Sequence, residues 1–241
     1  MASFSYTSSG PGKIGLAFTE ASTWIGEWSD ASNGKFAGRD GALYVEFSGP
    51  TNGTYTMPDK VMRGGFRYLT MFLMTDGATK VSISDVRLEI SFQPTWSNLR
   101  AYQGYFHSDD ELLNRIWYAG AYTLQTNSVP VNTGRWVPML ANGWANNGTL
   151  GPGDTIIVDG AKRDRAVWPG DMGIAVPSGF VSIGDLDSVK NALQVMYNYQ
   201  VRLVRYLFFT CLTSYRTRMD LSQKLALHCS SKTAIPIICG P

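Results

Sequence analysis

The sequence predicts a β-sandwich over residues 1–97, followed by α-helices. Three observations lead there. Short apolar stretches in residues 1–97 are separated by turn clusters. A helix-start signature stands at Ser108, and apolar residues then recur at helical spacing. Gly is abundant (25 of 241 residues) and charged residues are few (17%), a profile of short strands and many turns rather than of a helical bundle.

Each element follows from its local pattern. Trp24-Ile-Gly-Glu-Trp28 and Ala42-Leu-Tyr-Val-Glu-Phe47 read as strands, bounded by the turn clusters 29–34 and 48–53. Residues 66–74 form a nearly continuous apolar run, expected to be a strand buried on both faces. Residues 86–92 alternate apolar and polar, as a half-buried strand does, and Pro94 ends them. Gly64-Gly65 is a turn, since no following Lys-Ser/Thr makes it a phosphate loop. Ser108-Asp-Asp-Glu111 is a capping box opening a helix over 108–126, with Leu112, Leu113, Ile116, Trp117 and Leu124 on its apolar face. A loop rich in Asn and Gly spans 127–153. A second helix starts near Trp168-Pro169 and runs to about Val181, because Pro suits the first turn. A third starts at the N-cap Asp185, with Leu186, Val189, Leu193, Met196 and Tyr197 on one face.

Composition excludes several classes of partner. The formal net charge is +2, and no Lys/Arg block interleaves with aromatics, so no nucleic acid is expected. No apolar run reaches the ~18 residues of a spanning helix, so no membrane is expected. No His/Cys spacing suits a metal, and no cofactor is implied. Met1-Ala-Ser-Phe-Ser-Tyr lacks the basic start and apolar stretch of a signal peptide. Asn52-Gly-Thr54 and Asn147-Gly-Thr149 fit the glycosylation acceptor pattern.

Chemistry concentrates in Asp159–Asp171. Thirteen residues there hold three carboxylates (Asp159, Asp164, Asp171), three cations (Lys162, Arg163, Arg165) and Trp168, between the apolar runs 156–158 and 172–176. Burial and neighbouring cations push such carboxylates apart in pKa, which lets two acids serve as acid and base. A loop leading into a helix lets three carboxylates converge at the helix N-terminus, which favours negative charge. Core packing is expected for Trp24, Trp28 and Trp117. Trp136 and Trp144 lie in the polar loop, where sugar contact and packing weigh equally.

The pattern Asp159-x3-Arg163-Asp164-Arg165-x2-Trp168-x-Gly170-Asp171 resembles the signature of glycoside hydrolase family 78, the α-L-rhamnosidases, whose usual form has Glu where Asp164 stands. The text from Phe106 to Trp117 resembles the first helix of that family's (α/α)6 barrel. The resemblance covers roughly residues 15–200 and looks like the fungal branch of the six-hairpin glycosidases. It implies a β-sandwich domain at 1–97 and the first helices of an incomplete barrel at 98–200. It implies an inverting hydrolase with Asp164 as general acid and Asp159 and Asp171 on the sugar hydroxyls. Arg163 and Arg165 would orient these carboxylates, and Trp168 would shape the pocket. The partner would be a rhamnosyl-containing glycoside, and the intact relative would be secreted. Aspartate withdraws the carboxyl by roughly one C–C bond, ~1.5 Å, relative to glutamate. The family's base is a Glu from far downstream with no counterpart here, so the chain is expected to be an inactive fragment. The alternative from another class is a non-catalytic sugar-binding protein.

Residues 201–241 break the pattern. They carry 6 of the 21 basic residues, 1 of the 19 acidic ones and all three cysteines (Cys211, Cys229, Cys239). Val201-Arg202 can be encoded by a splice-donor sequence, so this tail is expected to be intron read-through or a misassembled gene.

Overall fold

The computed structural model describes residues 1–32, 39–135 and 146–199. The chain is a mixed β and α protein, with antiparallel sheets and three α-helices among the described residues. One sheet has the order β4-β1-β6, built from β1 (Ala2–Ser8), β4 (Thr51–Thr56) and β6 (Val81–Leu88). The other has the order β3-β2-β5, built from β2 (Gly12–Thr19), β3 (Leu43–Phe47) and β5 (Tyr68–Met74). Both contribute to one apolar core: Ala2 and Phe4 from the first, Ile14, Leu16, Phe18 and Phe47 from the second, with Met57 beside them. Each of the larger side chains contributes about 1.5–3 kcal/mol by leaving water. β2 is the central strand, and Ile14–Thr19 are buried on both of its faces. At Gly15 the Phe72 ring of the paired strand lies where a Cβ would project, so any larger residue there has to displace that ring.

The strands differ from expectation in instructive ways. Residues 24–28 are not a strand. Ser22–Trp24 form a 3-10 turn, and Trp24 and Trp28 stand 55% and 56% exposed rather than in the core. The apolar run at 66–74 gives β5, but as a half-buried edge strand; the strand covered on both faces is β2. The alternation at 86–92 is likewise misplaced. β6 starts at Val81 and ends at Leu88, and Val86, Leu88 and Ile90 are exposed. A bulge explains the switch: the register passes from Ser5↔Ser84 to Ser3↔Arg87, and Asp85 takes φ +51 within it.

Helix α1 spans Glu111–Thr126. Its cap is Asp110, not Ser108: the Asp110 carboxylate accepts from the N–H groups of Leu112 (2.8 Å) and Leu113 (3.4 Å). Ser108 is occupied elsewhere, exchanging hydrogen bonds with Asn114. The side buried is also not the apolar one. Ala121 and Gln125 are buried, Gln125 holding Leu99 O and the Tyr102 hydroxyl, whereas Leu112 and Ile116 are 63% and 58% exposed. Trp117 is half-buried and stacks on Phe106 at 5.9 Å.

One short strand lies inside the segment expected to be a loop, and its partner lies just after that segment. β7 (Ser128–Pro130) pairs antiparallel with β8 (Thr155–Ile157). Behind them pack α2 (Pro169–Ser182), which begins at the expected proline, and α3 (187–199). Val129, Ile156, Ile157, Val158, Met172, Val189 and Ala192 form this second core. Asp185 caps α3 as expected, accepting from the N–H groups of Asp187 and Ser188. The buried face of α3 is set by Val189 and Ala192; Leu186, Leu193 and Tyr197 point outward. Among the described residues no helix is long and apolar enough to cross a membrane. Trp136, Trp144 and the tail 201–241 lie outside the described residues.

Candidate functional site

The segment Asp159–Asp171 runs from the end of β8 to the first turn of α2. Its first part is a closed loop built around one carboxylate. Asp159 Oδ2 accepts from Asp164 N–H (2.9 Å), and Oδ1 accepts from Ala166 N–H (3.0 Å). The Asp159 N–H donates to Ala166 O, closing the loop a second time. Gly160 permits the turn, since a Cβ there would sit 2.3 Å from Arg163 O. Burial pushes the Asp159 carboxyl above the usual carboxylate range, although its backbone donors pull the other way. Such a raised pKa means the charged form opposes folding, and that opposition grows as pH rises through the window between the unfolded and folded values.

Arg165 fixes the loop from inside. It takes φ +62, uncommon for a residue with a side chain, and is 2% exposed. Its Nε donates to Thr133 O, Nη1 to Ala161 O (2.7 Å) and Nη2 to Thr133 Oγ1 (2.9 Å). Those acceptors are neutral, and no ion pair to Arg165 is found among the described residues. Burial first, and repulsion from Arg135 second, push its guanidinium down to about 10, so it stays protonated at neutral pH. The resemblance implied that Arg165 orients carboxylates; here it orients the loop backbone. Arg163 does meet a carboxylate, with Nε 3.5 Å from Asp164 Oδ1.

The three carboxylates therefore occupy three settings. Asp159 is turned into the loop. Asp164 is about one-third exposed beside Arg163. Asp171 is exposed on the first turn of α2, where the helix N-terminus favours its charge. Trp168 precedes that turn, half-buried, and among the described residues its buried indole Nε1, which can only donate, has no hydrogen-bond partner. Among the described residues no cluster of three His, Cys, Asp or Glu side chains could hold a metal.

A seam joins this loop to the β-rich part, and nothing local in the sequence pointed to it. Asn146 donates to Lys60 O (3.0 Å) and Met62 O (2.6 Å). Gly64 packs so tightly on Ala161 that a Cβ would lie 2.3 Å from its carbonyl oxygen. Next to it runs a line of alternating charges. Asp40 accepts from Arg63 Nη1 at 2.8 Å, Arg63 Nη2 donates to Asp30, and Asp30 Oδ2 lies 3.0 Å from Lys162 Nζ. Glu20 also reaches Lys162, at 3.3 Å. These partners are separated by tens of residues in sequence, so only the fold reveals them.

Lys162 is the member of this line that sits on the site loop. Lys162→Met is expected to loosen the loop by about 1 kcal/mol, the upper range for partly exposed pairs. Amide hydrogen exchange at Asp164 and Ala166 should then quicken roughly fivefold, while β1 and β2 stay unchanged. Unaltered exchange at those two amides would show that the pair does not hold the loop.

No protein-family model matches the chain, and no curated protein matches it.

Proposed function

We propose that this chain is the acid-bearing portion of an inverting, α-L-rhamnosidase-like glycoside hydrolase. In this reading residues 1–97 are a β-sandwich, residues 98–200 are the opening helices of an (α/α)6 barrel, and the ligand is a rhamnosyl-containing glycoside. The observation that supports it most is the division of labour within one loop. Asp159 is consumed in holding the loop's shape, while Asp164, five residues on, is left partly open to a ligand. Trp168 and Asp171 follow it, one with an unused buried donor and one with an exposed carboxylate.

An inverting glycosidase protonates the leaving oxygen with one carboxylic acid and activates water with a second carboxylate about 6.5–9.5 Å away. Asp164 takes the first role. No residue of the chain is assigned the second, so binding without turnover is the expected behaviour. Saturating the chain with L-rhamnose should shift the amide signals of 159–171 and the Trp168 indole signal in NMR spectra. Asp171→Ala should weaken that binding about tenfold, the loss of one charge-assisted hydrogen bond. No shift in about 10 mM rhamnose, enough to fill a site of millimolar Kd, sinks the reading. Hydrolysis of an aryl α-L-rhamnoside is the second readout. Turnover that Asp164→Asn removes marks an enzyme. Binding without turnover is common to both readings. They are separated by Asp164→Glu in a version extended to carry the downstream base, where gained turnover marks the hydrolase and its absence marks the non-catalytic sugar-binding alternative.

A further inference from the structure

The connection after β2 carries a loop whose base is closed and whose tip is apolar. At the base, Asp30 N–H donates to Phe18 O (3.0 Å), Phe18 N–H donates to Ser29 Oγ (3.0 Å) and Glu20 N–H donates to Asp30 Oδ2 (2.9 Å). At the tip, Trp24, Ile25 and Trp28 are each more than half exposed. Loops pinched in this way are compact and frequently functional. Two exposed tryptophans within five residues, next to an exposed isoleucine, make an apolar patch of the kind that marks a binding surface. The surroundings are polar in a particular way. Exposed Glu20 and Glu27 offer carboxylate acceptors, and the Arg39 guanidinium carbon lies 4.9 Å from the Trp24 ring centroid. Flat aromatic faces beside carboxylates and a guanidinium suit a ligand with apolar C–H faces and a rim of hydroxyls, which is a sugar ring.

The loop also adjoins the candidate site. Lys162, two residues from Asp164, is ion-paired to both Glu20 and Asp30 at the loop's base. Trp28 is two residues from Asp30, so their Cα atoms are within about 8 Å.

We infer that Trp24 and Trp28 form an outer subsite that stacks the second sugar ring of a glycoside whose terminal ring sits at Asp164 and Asp171. This inference rests on the carbohydrate reading above. The experiment titrates the chain with L-rhamnose and with a rhamnosyl-disaccharide by calorimetry, then repeats both titrations with the Trp24→Ala/Trp28→Ala double variant. Both side chains are exposed, so the variant should keep the parent's circular dichroism and melting behaviour. The disaccharide is expected to lose about tenfold in affinity and rhamnose to lose nothing. Trp24→Tyr/Trp28→Tyr should recover most of the disaccharide affinity, since a ring remains. Rhamnose binding together with a disaccharide affinity indifferent to the alanine variant overturns the subsite and leaves the carbohydrate reading standing. Failure of both sugars to bind the parent chain overturns both.

Discussion

Arg63→Met is expected to destabilise the fold by about 3–5 kcal/mol, the range for removing one partner of a buried ion pair. The Arg63 and Asp40 side chains are 1% and 0% exposed, so neither has water to fall back on. Burial lowers the Arg63 pKa while Asp30 and Asp40 raise it, which is the competition between desolvation and Coulomb attraction. Methionine fills most of the volume but takes away the cation. Asp40 then keeps the Ser32 donors at 2.9 and 2.7 Å and loses its guanidinium. Urea denaturation should show a lower midpoint at an unchanged slope. The double variant Arg63→Met/Asp40→Leu should be less destabilised than the single one, because it buries no unmatched charge. A single variant that unfolds at the parent's midpoint would show that the line of charges contributes nothing to stability.

Asp185→Ala is expected to lose about 2–4 kcal/mol. The carboxylate accepts from five donors: Gln93 Nε2 (2.8 Å), Ser128 Oγ (3.1 Å), Ser188 Oγ (2.6 Å) and the N–H groups of Asp187 and Ser188. Gln93, Ser128 and Ser188 are themselves buried, so truncation strands their donors, each at a cost of about 1–3 kcal/mol before relaxation. Burial alone would raise the Asp185 pKa, but the hydrogen bonds outweigh it and the net direction is down. The sign of the pH effect follows. A depressed folded pKa contributes stability that is present above the unfolded carboxylate value and is lost as pH falls through the folded one. Melting temperature plotted against pH should therefore drop less steeply on the acid side in Asp185→Ala than in the parent. Parallel acid limbs would refute the assignment.

The sequence revealed features that depend on neighbours in the chain. Pro169 at the head of α2, Asp185 as a cap and the strand at 43–47 are set by backbone geometry within a few residues. Errors arose where tertiary context decides. Ser108 satisfies the capping-box pattern with Glu111, but Asn114 holds it in another arrangement and the Asp110 carboxylate caps the helix instead. The Val86–Phe92 alternation is genuine, yet the bulge at Asp85 turns its apolar side outward. In α1, periodicity located a helix but could not say which side meets the rest of the chain. For the site, the acidic loop was legible because its residues are contiguous, whereas Arg63, Asp40, Asp30 and Asn146 belong to it only through long-range packing.

The Lys60–Gly65 stretch has one more implication. It belongs by position to the β-rich part, yet its carbonyls and Met62 sulfur receive Asn146 and Arg165, and Gly64 seats Ala161. Cutting the polypeptide between residues 97 and 98 would thus yield two complementary pieces, each exposing polar groups meant for the other. Such pieces should regain the Asp159 loop only upon mixing, so the boundary the resemblance implies between residues 97 and 98 is crossed by contacts that both sides need.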